Sequence, residues 1–163
     1  MSMIGNFVAV DEVTLKRLQE SPGEISAFLY PDAGDGPARQ LDVDKAWHAI
    51  HFVLNGSAWE GSGALGMSVL GGTEIGEDIG YGPARFLLAH QVTDVADALS
   101  KVSDADFHAR FDAQAMDEQD IYPQVWSRDA DDGRTYVFDY FVHMVNFYKE
   151  AVSRGDAMLL FIN

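Results

Sequence analysis

Two histidines and one carboxylate in the middle of the chain have the residue types and the spacing to do chemistry. Asp44, His48 and His51 stand at positions i, i+4 and i+7 of the segment LDVDKAWHAIHFVLNG. On a helix this spacing places the three side chains within a sector about 60° wide, beside the apolar face. Such a group can bind a divalent metal or act as a general acid–base pair.

A structural role suits the same three residues. A half-buried histidine can lie next to a weak Asp44–His48 helix pair. The His-x-x-His spacing also lacks the glutamate of the zinc-protease motif. We therefore predict no bound metal and no cofactor, and we keep an acid–base role and a structural role open for His48 and His51.

A glycine-rich stretch, LGGTEIGEDIGYGPARFL at residues 70–87, carries the second candidate group. A phosphate-binding loop needs backbone amides unopposed by negative charge, usually with a following lysine. Here Glu74, Glu77 and Asp78 occupy the stretch, and no lysine follows. We predict that Arg85 forms an ion pair with Glu77 and Asp78 that holds the loop in shape. In the alternative interpretation, Arg85 points into a cleft and holds an anionic group.

Aromatic residues near glycine and proline bends form the third group. Such side chains usually pack in the interior, but they also line pockets for small ligands or peptides. Together with the polar candidates they give one predicted pocket. Its members are Asp44, Trp47, His48, His51, Glu77, Asp78, Tyr81, Arg85, Tyr122 and Trp126.

Composition narrows the classes of function. The chain has 163 residues, 47% of them hydrophobic and 12% aromatic, which is enough for one well-filled core. It has no cysteine, which excludes disulfides, thiolate metal sites and a cysteine nucleophile. The start, MSMIGNFVAV, lacks a basic region and a long apolar run, so we expect no signal peptide. We predict a cytoplasmic protein.

The charge balance argues against two kinds of partner. The formal net charge is −15, and such a surface repels nucleic-acid phosphates and anionic membranes. Acidic character favours cationic partners, although it also serves solubility alone. We therefore predict a basic protein partner or a small polar ligand, and no nucleic acid or membrane partner.

The elements that must position these residues are visible in the hydrophobic pattern. Apolar runs predict strands in MIGNFVAV, ARFLL and AMLLFIN, with a further short strand near Met67–Leu70. The run AMLLFIN is unbroken, which is typical of a strand covered on both faces. The remaining glycine-rich residues, DAGDGPARQ and SRDADDG are predicted to be loops.

Helices are predicted where apolar residues recur at helical spacing. These segments are EVTLKRLQE, EISAFLY, residues 42–54, HQVTDVADALSKV, DADFHARF and residues 135–153, with a helical turn in DAQAMDEQDIYPQVW. Asp11, Asp42 and Ser103 are predicted N-caps, and Gly56 and Gly155 are predicted stops. The resulting order, β-α-α-α-β-β-α-α-α-β, predicts a single domain over residues 1–163. We expect an α/β or α+β architecture, with a small mixed β-sheet and helices on both sides.

The stretches MIGNFVAV, LDVDKAWHAIHFVLNG, LGGTEIGEDIGYGPARFL, DIYPQVW and SRGDAMLLFIN together resemble the YfbM-like family of bacterial proteins. The most specific pieces are DKAWHAIHFVL and GEDIGYGPAR, and the resemblance covers nearly the whole chain in order. It implies a compact domain with helices on both sides of a sheet. It implies no activity, because the family is a domain of unknown function and supplies no catalytic residues.

Two hypotheses about function follow. The first is a non-enzymatic binding or protein-interaction domain, with a cleft between the 42–54 helix and the 70–87 stretch. The alternative is a small-molecule enzyme in which His48 or His51 is a general base oriented by Asp44. There, Arg85 and Tyr81 orient the substrate. The enzyme hypothesis predicts that all five residues converge in one pocket.

Overall fold

In a computed structural model of the chain, residues 1–163 form five strands and eight helices. The strands are β1 Gly5–Val10, β2 Gln40–Asp42, β3 Thr73–Asp78, β4 Pro83–Leu87 and β5 Ala157–Ile162. The helices are α1 Glu12–Glu20, α2 Ile25–Leu29, α3 Trp47–Asn55, α4 Gly63–Met67, α5 Ala89–Ser100, α6 Asp104–Arg110, α7 Ala113–Glu118 and α8 Ala130–Arg154. Single 3-10 turns, Pro22–Glu24 and Asp44–Ala46, precede α2 and α3. None of the helices is long and apolar enough to cross a bilayer.

All five strands join in one sheet of order β2-β1-β5-β4-β3, and every neighbouring pair is antiparallel. The prediction of a mixed sheet is therefore wrong. Strand direction depends on whether each connection returns at the same end of the sheet or crosses to the opposite end, and side-chain periodicity contains no information on that choice. The terminal strand β5 lies at the centre and is buried along almost its whole length, as its unbroken apolar run predicted.

The sheet is covered by helices on both faces, and because all its strands are antiparallel the architecture is α+β. Alternate residues of β1 and β5 point to opposite sides. Phe7 and Leu160 belong to a core of 29 buried residues shared with α3, α5 and α8. Val8 and Leu159 belong to a smaller core of 11 buried residues that includes side chains of α1 and α2. The predicted layering is confirmed.

Of the five predicted helix caps, Asp11, Ser103, Gly56 and Gly155 are confirmed, and Asp42 is wrong. Gly56 and Gly155 end α3 and α8 in left-handed conformation. Ser103 accepts a hydrogen bond from the Asp106 amide at the start of α6. The prediction that SRDADDG is a loop is wrong in its second half. Asp129 accepts a hydrogen bond from the Asp132 amide, and α8 begins at Ala130, with acidic residues in its first turn.

Three further boundaries differ from the prediction. The strand expected near Met67–Leu70 is instead the end of α4 and a turn. The glycine-rich stretch contains β3, an edge strand with one buried side chain, Ile75. The helix expected from Asp42 begins at Trp47, because the Asp42 carboxylate closes a turn by accepting the Asp44 N–H at 2.6 Å.

Candidate functional site

His48 is buried, with 1% of its surface exposed, and both of its ring nitrogens are occupied. The Tyr122 N–H donates to His48 Nδ1 at 2.9 Å, while His48 Nε2 lies 2.8 Å from the Ala58 carbonyl oxygen. Because a backbone N–H can only donate, Nδ1 is the acceptor and Nε2 carries the proton. Burial lowers the pKa of His48, so the ring is neutral at pH 7.

His51, one turn further along α3, also has a neighbouring polar group at each ring nitrogen. Its Nε2 lies 3.1 Å from the Glu60 carbonyl oxygen, and Asn55 Nδ2 lies 3.3 Å from its Nδ1. Burial also lowers the pKa of His51. The two N–H bonds of Asn55 Nδ2 are shared with two carbonyl oxygens, that of His51 at 3.0 Å and that of Leu65 at 3.3 Å. These three side chains, His48, His51 and Asn55, fasten the segment 57–66 onto α3, and we call them the α3 clamp.

Asp44 does not orient either histidine, so that part of the enzyme hypothesis is wrong. Its Oδ2 accepts the Tyr136 hydroxyl at 2.7 Å. The reason is local: Asp44 lies in the 3-10 turn before α3, with a φ of 49°, and so it is outside the regular helical sector of His48 and His51. No group of three or more histidine, aspartate or glutamate side chains is arranged to hold a metal ion.

Arg85 binds carbonyl oxygens, and the predicted ion pair with Glu77 and Asp78 is wrong. Its Nη1 donates to the carbonyl oxygens of Val69 and Gly71, at 3.1 Å and 2.7 Å. Burial lowers the pKa of Arg85. The predicted partners lie at the exposed end of β3, and no acidic group lies within salt-bridge distance of the guanidinium. Arg85 therefore holds the 69–71 turn against β4.

Neither Tyr81 nor Trp126 forms a hydrogen bond with a histidine, although the Ile121–Tyr122 peptide group links Trp126 to His48 through its C=O and its N–H. Tyr81 is in the β3–β4 connection, where its N–H donates to the Ile162 carbonyl oxygen at 3.2 Å. Trp126 is buried, and its Nε1 donates to the Ile121 carbonyl oxygen at 2.9 Å. The five residues of the enzyme hypothesis therefore do not converge.

Trp47, His48 and Tyr122 do come together, in a stack that a fourth ring completes. The His48 ring lies 4.8 Å from the Trp47 ring, nearly parallel to it, and 4.4 Å from the Trp59 ring. Tyr122 stacks on Trp47 at 6.0 Å. Met3 fixes the inner end, since its carbonyl accepts the Trp47 Nε1–H and its N–H donates to the Tyr122 hydroxyl. Only Trp59 extends far into solvent, with 66% of its surface exposed.

A groove of about 700 Å³ runs beside Trp59. It is lined by Trp59, Gly61, Gly63, Ala64, Gly66, Met67, Leu70, Gly71 and Asp94. We call it the Trp59 groove. Gly66 is required for close packing, because a Cβ there would lie 2.6 Å from the Gly61 carbonyl carbon. The groove touches the 70–87 stretch only at Leu70 and Gly71, and α3 supports it from behind through the clamp.

Trp59 was missed from the sequence because it lies in GSAWEGSG, which reads as a polar loop. A signal was available. Apart from Ala58, the residues around Trp59 are glycine, serine and glutamate, which are too small or too polar to bury an indole, so long-range contacts must fix its ring.

Comparison with known proteins places the chain in a family. A family model described as a domain of unknown function (DUF1877) matches residues 1–161. Protein YfbM of Escherichia coli (strain K12) is 25% identical in an alignment of 167 positions that covers 99% of each chain. The crystal structure of YfbM from Escherichia coli, a protein of unknown function, has a TM-score of 0.76 at 22% identity, covering 98% of this chain and 99% of that one. The chain belongs to the DUF1877 family, as the sequence resemblance implied, and its fold is the YfbM fold.

Proposed function

We propose that this DUF1877 protein is a non-enzymatic binding domain whose Trp59 groove receives a basic segment of a partner protein. The observation that carries the proposal is that Trp59 is both exposed and rigidly supported. Its indole is 66% exposed, yet it rests on a histidine ring that two backbone groups hold in place. An exposed aromatic side chain on a fixed support is typical of the anchor residues of interfaces.

The support matters because it lowers the cost of binding. An immobilised side chain costs about 0.5–1.5 kcal/mol of ordering on association, and a ring already in position avoids part of that cost. The loop that carries Trp59 is held at Ala58 by His48 and at Glu60 by His51. The α3 clamp therefore presents Trp59 in one orientation.

Charge favours a cationic partner. The only ionisable side chain that lines the groove is Asp94, which is exposed on α5. Lysine and arginine bind favourably over an indole face and also pair with a carboxylate. The net charge of −15 speeds the approach of a basic partner from a distance.

The histidine geometry favours binding over acid–base catalysis. A general base needs a nitrogen free to take a proton from a substrate. His48 accepts one backbone hydrogen bond and donates another, and His51 has a partner at each nitrogen. Their carbonyl partners belong to the loop that forms the groove wall, so the histidines serve the groove by positioning it.

The proposal is tested with an octa-arginine peptide as probe, by isothermal titration calorimetry at low and moderate salt. The wild-type protein is compared with Trp59→Ala and with Tyr81→Ala, a matched control that removes another exposed aromatic ring outside the groove. We expect Trp59→Ala to weaken binding about ten-fold or more. Tyr81→Ala leaves the affinity unchanged, and Asp94→Asn gives an intermediate loss.

Two results contradict the proposal. One is equal affinity of the peptide for Trp59→Ala and Tyr81→Ala, because binding then follows net charge alone. The other is binding of octa-arginine without any change in the fluorescence of Trp59, which is obtained as the difference between the spectra of the wild-type protein and of Trp59→Phe. Either outcome locates the cationic partner elsewhere on the surface.

A further inference from the structure

A second cleft lies where the start of α8 meets the 123–128 segment and the 3-10 turn before α3. We propose that it binds a small zwitterion of the amino-acid class, with an ammonium group, a carboxylate and an apolar side chain. The volume of the cleft is about 570 Å³. Small-molecule sites commonly occupy about 300–1,000 Å³.

The apolar part of such a ligand has a preformed wall. Pro123, Val125 and Trp126 line one side of the cleft. Gly133, on the first turns of α8, faces the Trp126 ring, and a Cβ there would lie 3.3 Å from Trp126 Cε3. Because this position has no side chain, the helix and the indole approach closely without narrowing the cleft.

Charged groups of both signs surround this wall, and several of them have no partner within the protein. Neither Lys45 nor Arg128 has a carboxylate oxygen within 4.0 Å of its side-chain nitrogens. The carboxylate of Asp132 accepts no hydrogen bond from the protein, whereas that of Asp129 caps α8. The cleft thus offers cations for a carboxylate and carboxylates for an ammonium group.

Tyr136 fixes the position of the Asp44 carboxylate in the cleft. Its hydroxyl donates to Asp44 Oδ2 at 2.7 Å and accepts the Lys45 N–H at 3.1 Å. Only one oxygen of Asp44 is used, so Oδ1 is available to a ligand. The bond also holds Asp44 in its left-handed conformation, which is uncommon for residues other than glycine. Burial, and then the Asp44 carboxylate, raise the pKa of Tyr136, so its hydroxyl keeps its proton.

A zwitterion matches the cleft better than a ligand of one charge. A simple amine leaves Lys45 and Arg128 facing its apolar body, and a simple carboxylate leaves Asp44 and Asp132 doing so. Desolvating an unpaired charge is unfavourable, so each missing group on the ligand weakens binding. The cleft shares no lining residue with the Trp59 groove, so failure of one proposed site would not contradict the other.

Three matched probes test the proposal: L-phenylalanine, 2-phenylethylamine, which lacks the carboxylate, and 3-phenylpropionate, which lacks the ammonium group. Each is titrated into the 163-residue protein and followed by chemical-shift changes in amide NMR spectra. We expect L-phenylalanine to bind about ten-fold more tightly than either single-charge probe. The largest shifts are expected at residues 44–45 and 123–136.

Variants test separately how the cleft recognises the carboxylate and the ammonium group of the ligand. Lys45→Gln should remove most of the advantage of L-phenylalanine over 2-phenylethylamine. Tyr136→Phe keeps the ring but frees Asp44, so it should weaken 2-phenylethylamine and L-phenylalanine and leave 3-phenylpropionate unchanged. Lys16→Gln on α1 is the control for loss of one lysine, and thermal melting checks that each variant is folded.

The proposal is overturned if the three probes bind equally well. It is also overturned if none of them binds near its solubility limit, or if Lys45→Gln and Lys16→Gln behave alike. Shifts confined to residues 59–71 would move the ligand to the Trp59 groove and equally reject this cleft.

Discussion

The α3 clamp and the cleft at Asp44 both contain polar side chains, but the two regions use them in opposite ways. In the clamp, His48 and His51 have partners at both ring nitrogens, and those partners are main-chain groups or Asn55. In the cleft, Lys45 has no ionic partner and Asp44 uses one oxygen. The two histidines that the sequence offers as a catalytic pair thus stabilise the structure, whereas Asp44, the third member of that group, lies in the cleft with one oxygen free.

The difference has an energetic cause. A buried polar atom without a partner costs about 1–3 kcal/mol, so a buried histidine must have its nitrogens satisfied. A charge at the mouth of an open cleft is solvated and meets no such demand. Substitutions that remove clamp residues should therefore lower stability, whereas substitutions in the groove or the cleft should change binding.

The largest expected effect is that of His48→Ala. It removes a ring stacked between Trp47 and Trp59 and leaves the Tyr122 N–H and the Ala58 carbonyl without partners. We expect the free energy of unfolding in urea to fall by about 3 kcal/mol. The matched control is His143→Ala, an exposed histidine of α8, which should change it by less than about 0.5 kcal/mol. Equal losses for the two variants would break the comparison.

A pH titration of stability sharpens the comparison. The pKa values of His48 and His51 are lowered in the folded protein from 6.5, so the unfolded chain binds protons first. The two neutral histidines therefore make their full contribution to the free energy of unfolding above pH 6.5, and this contribution is lost as the pH falls below 6.5. We expect the urea midpoint to fall between about pH 7 and about pH 5, before carboxylates protonate. His51→Gln should flatten the curve, and an unchanged slope in this variant would show that other groups cause it.

The smallest expected effect on stability is that of Trp59→Ala. Its indole is 66% exposed, so little buried area is lost on truncation. We expect the free energy of unfolding to fall by less than about 1 kcal/mol, measured by urea unfolding as for His48→Ala. A loss as large as that of His48→Ala would make Trp59 part of the core and weaken its assignment as an anchor for a partner.

Most helices could be predicted because their signals are local. The stripe that predicted α5, the Ser103 cap of α6 and the Gly155 stop of α8 all lie within a few residues of the element they define. The strand β3 could not be predicted in this way. It lies at an edge with one buried side chain, and its Gly76 and the glycines before it resemble loop residues, so only pairing with β4 makes it a strand.

The candidate site was predictable in part. Trp47, His48 and Tyr122 were selected by residue type, and the structure stacks them together. The Asp44–His48 pair failed because a 3-10 turn replaces the first turn of the expected helix. The ion pair of Arg85 failed because acids nearby in sequence can lie outside the reach of the guanidinium, while two carbonyl oxygens lie within it.

The resemblance of its motifs identified the family. By itself, the sequence also determined the helices on both sides of a sheet, most helix positions, the buried terminal strand and the acidic charge. These follow from periodicity, capping and composition, which act over short stretches of chain. Only the tertiary structure decided the antiparallel sheet, the neutral histidines and the exposure of Trp59. His48 receives its hydrogen bond from Tyr122, 74 residues away, and a contact of that separation exists only after the helices have packed. The residue type fixes which hydrogen bonds a side chain can form, but the tertiary fold determines which partner it meets.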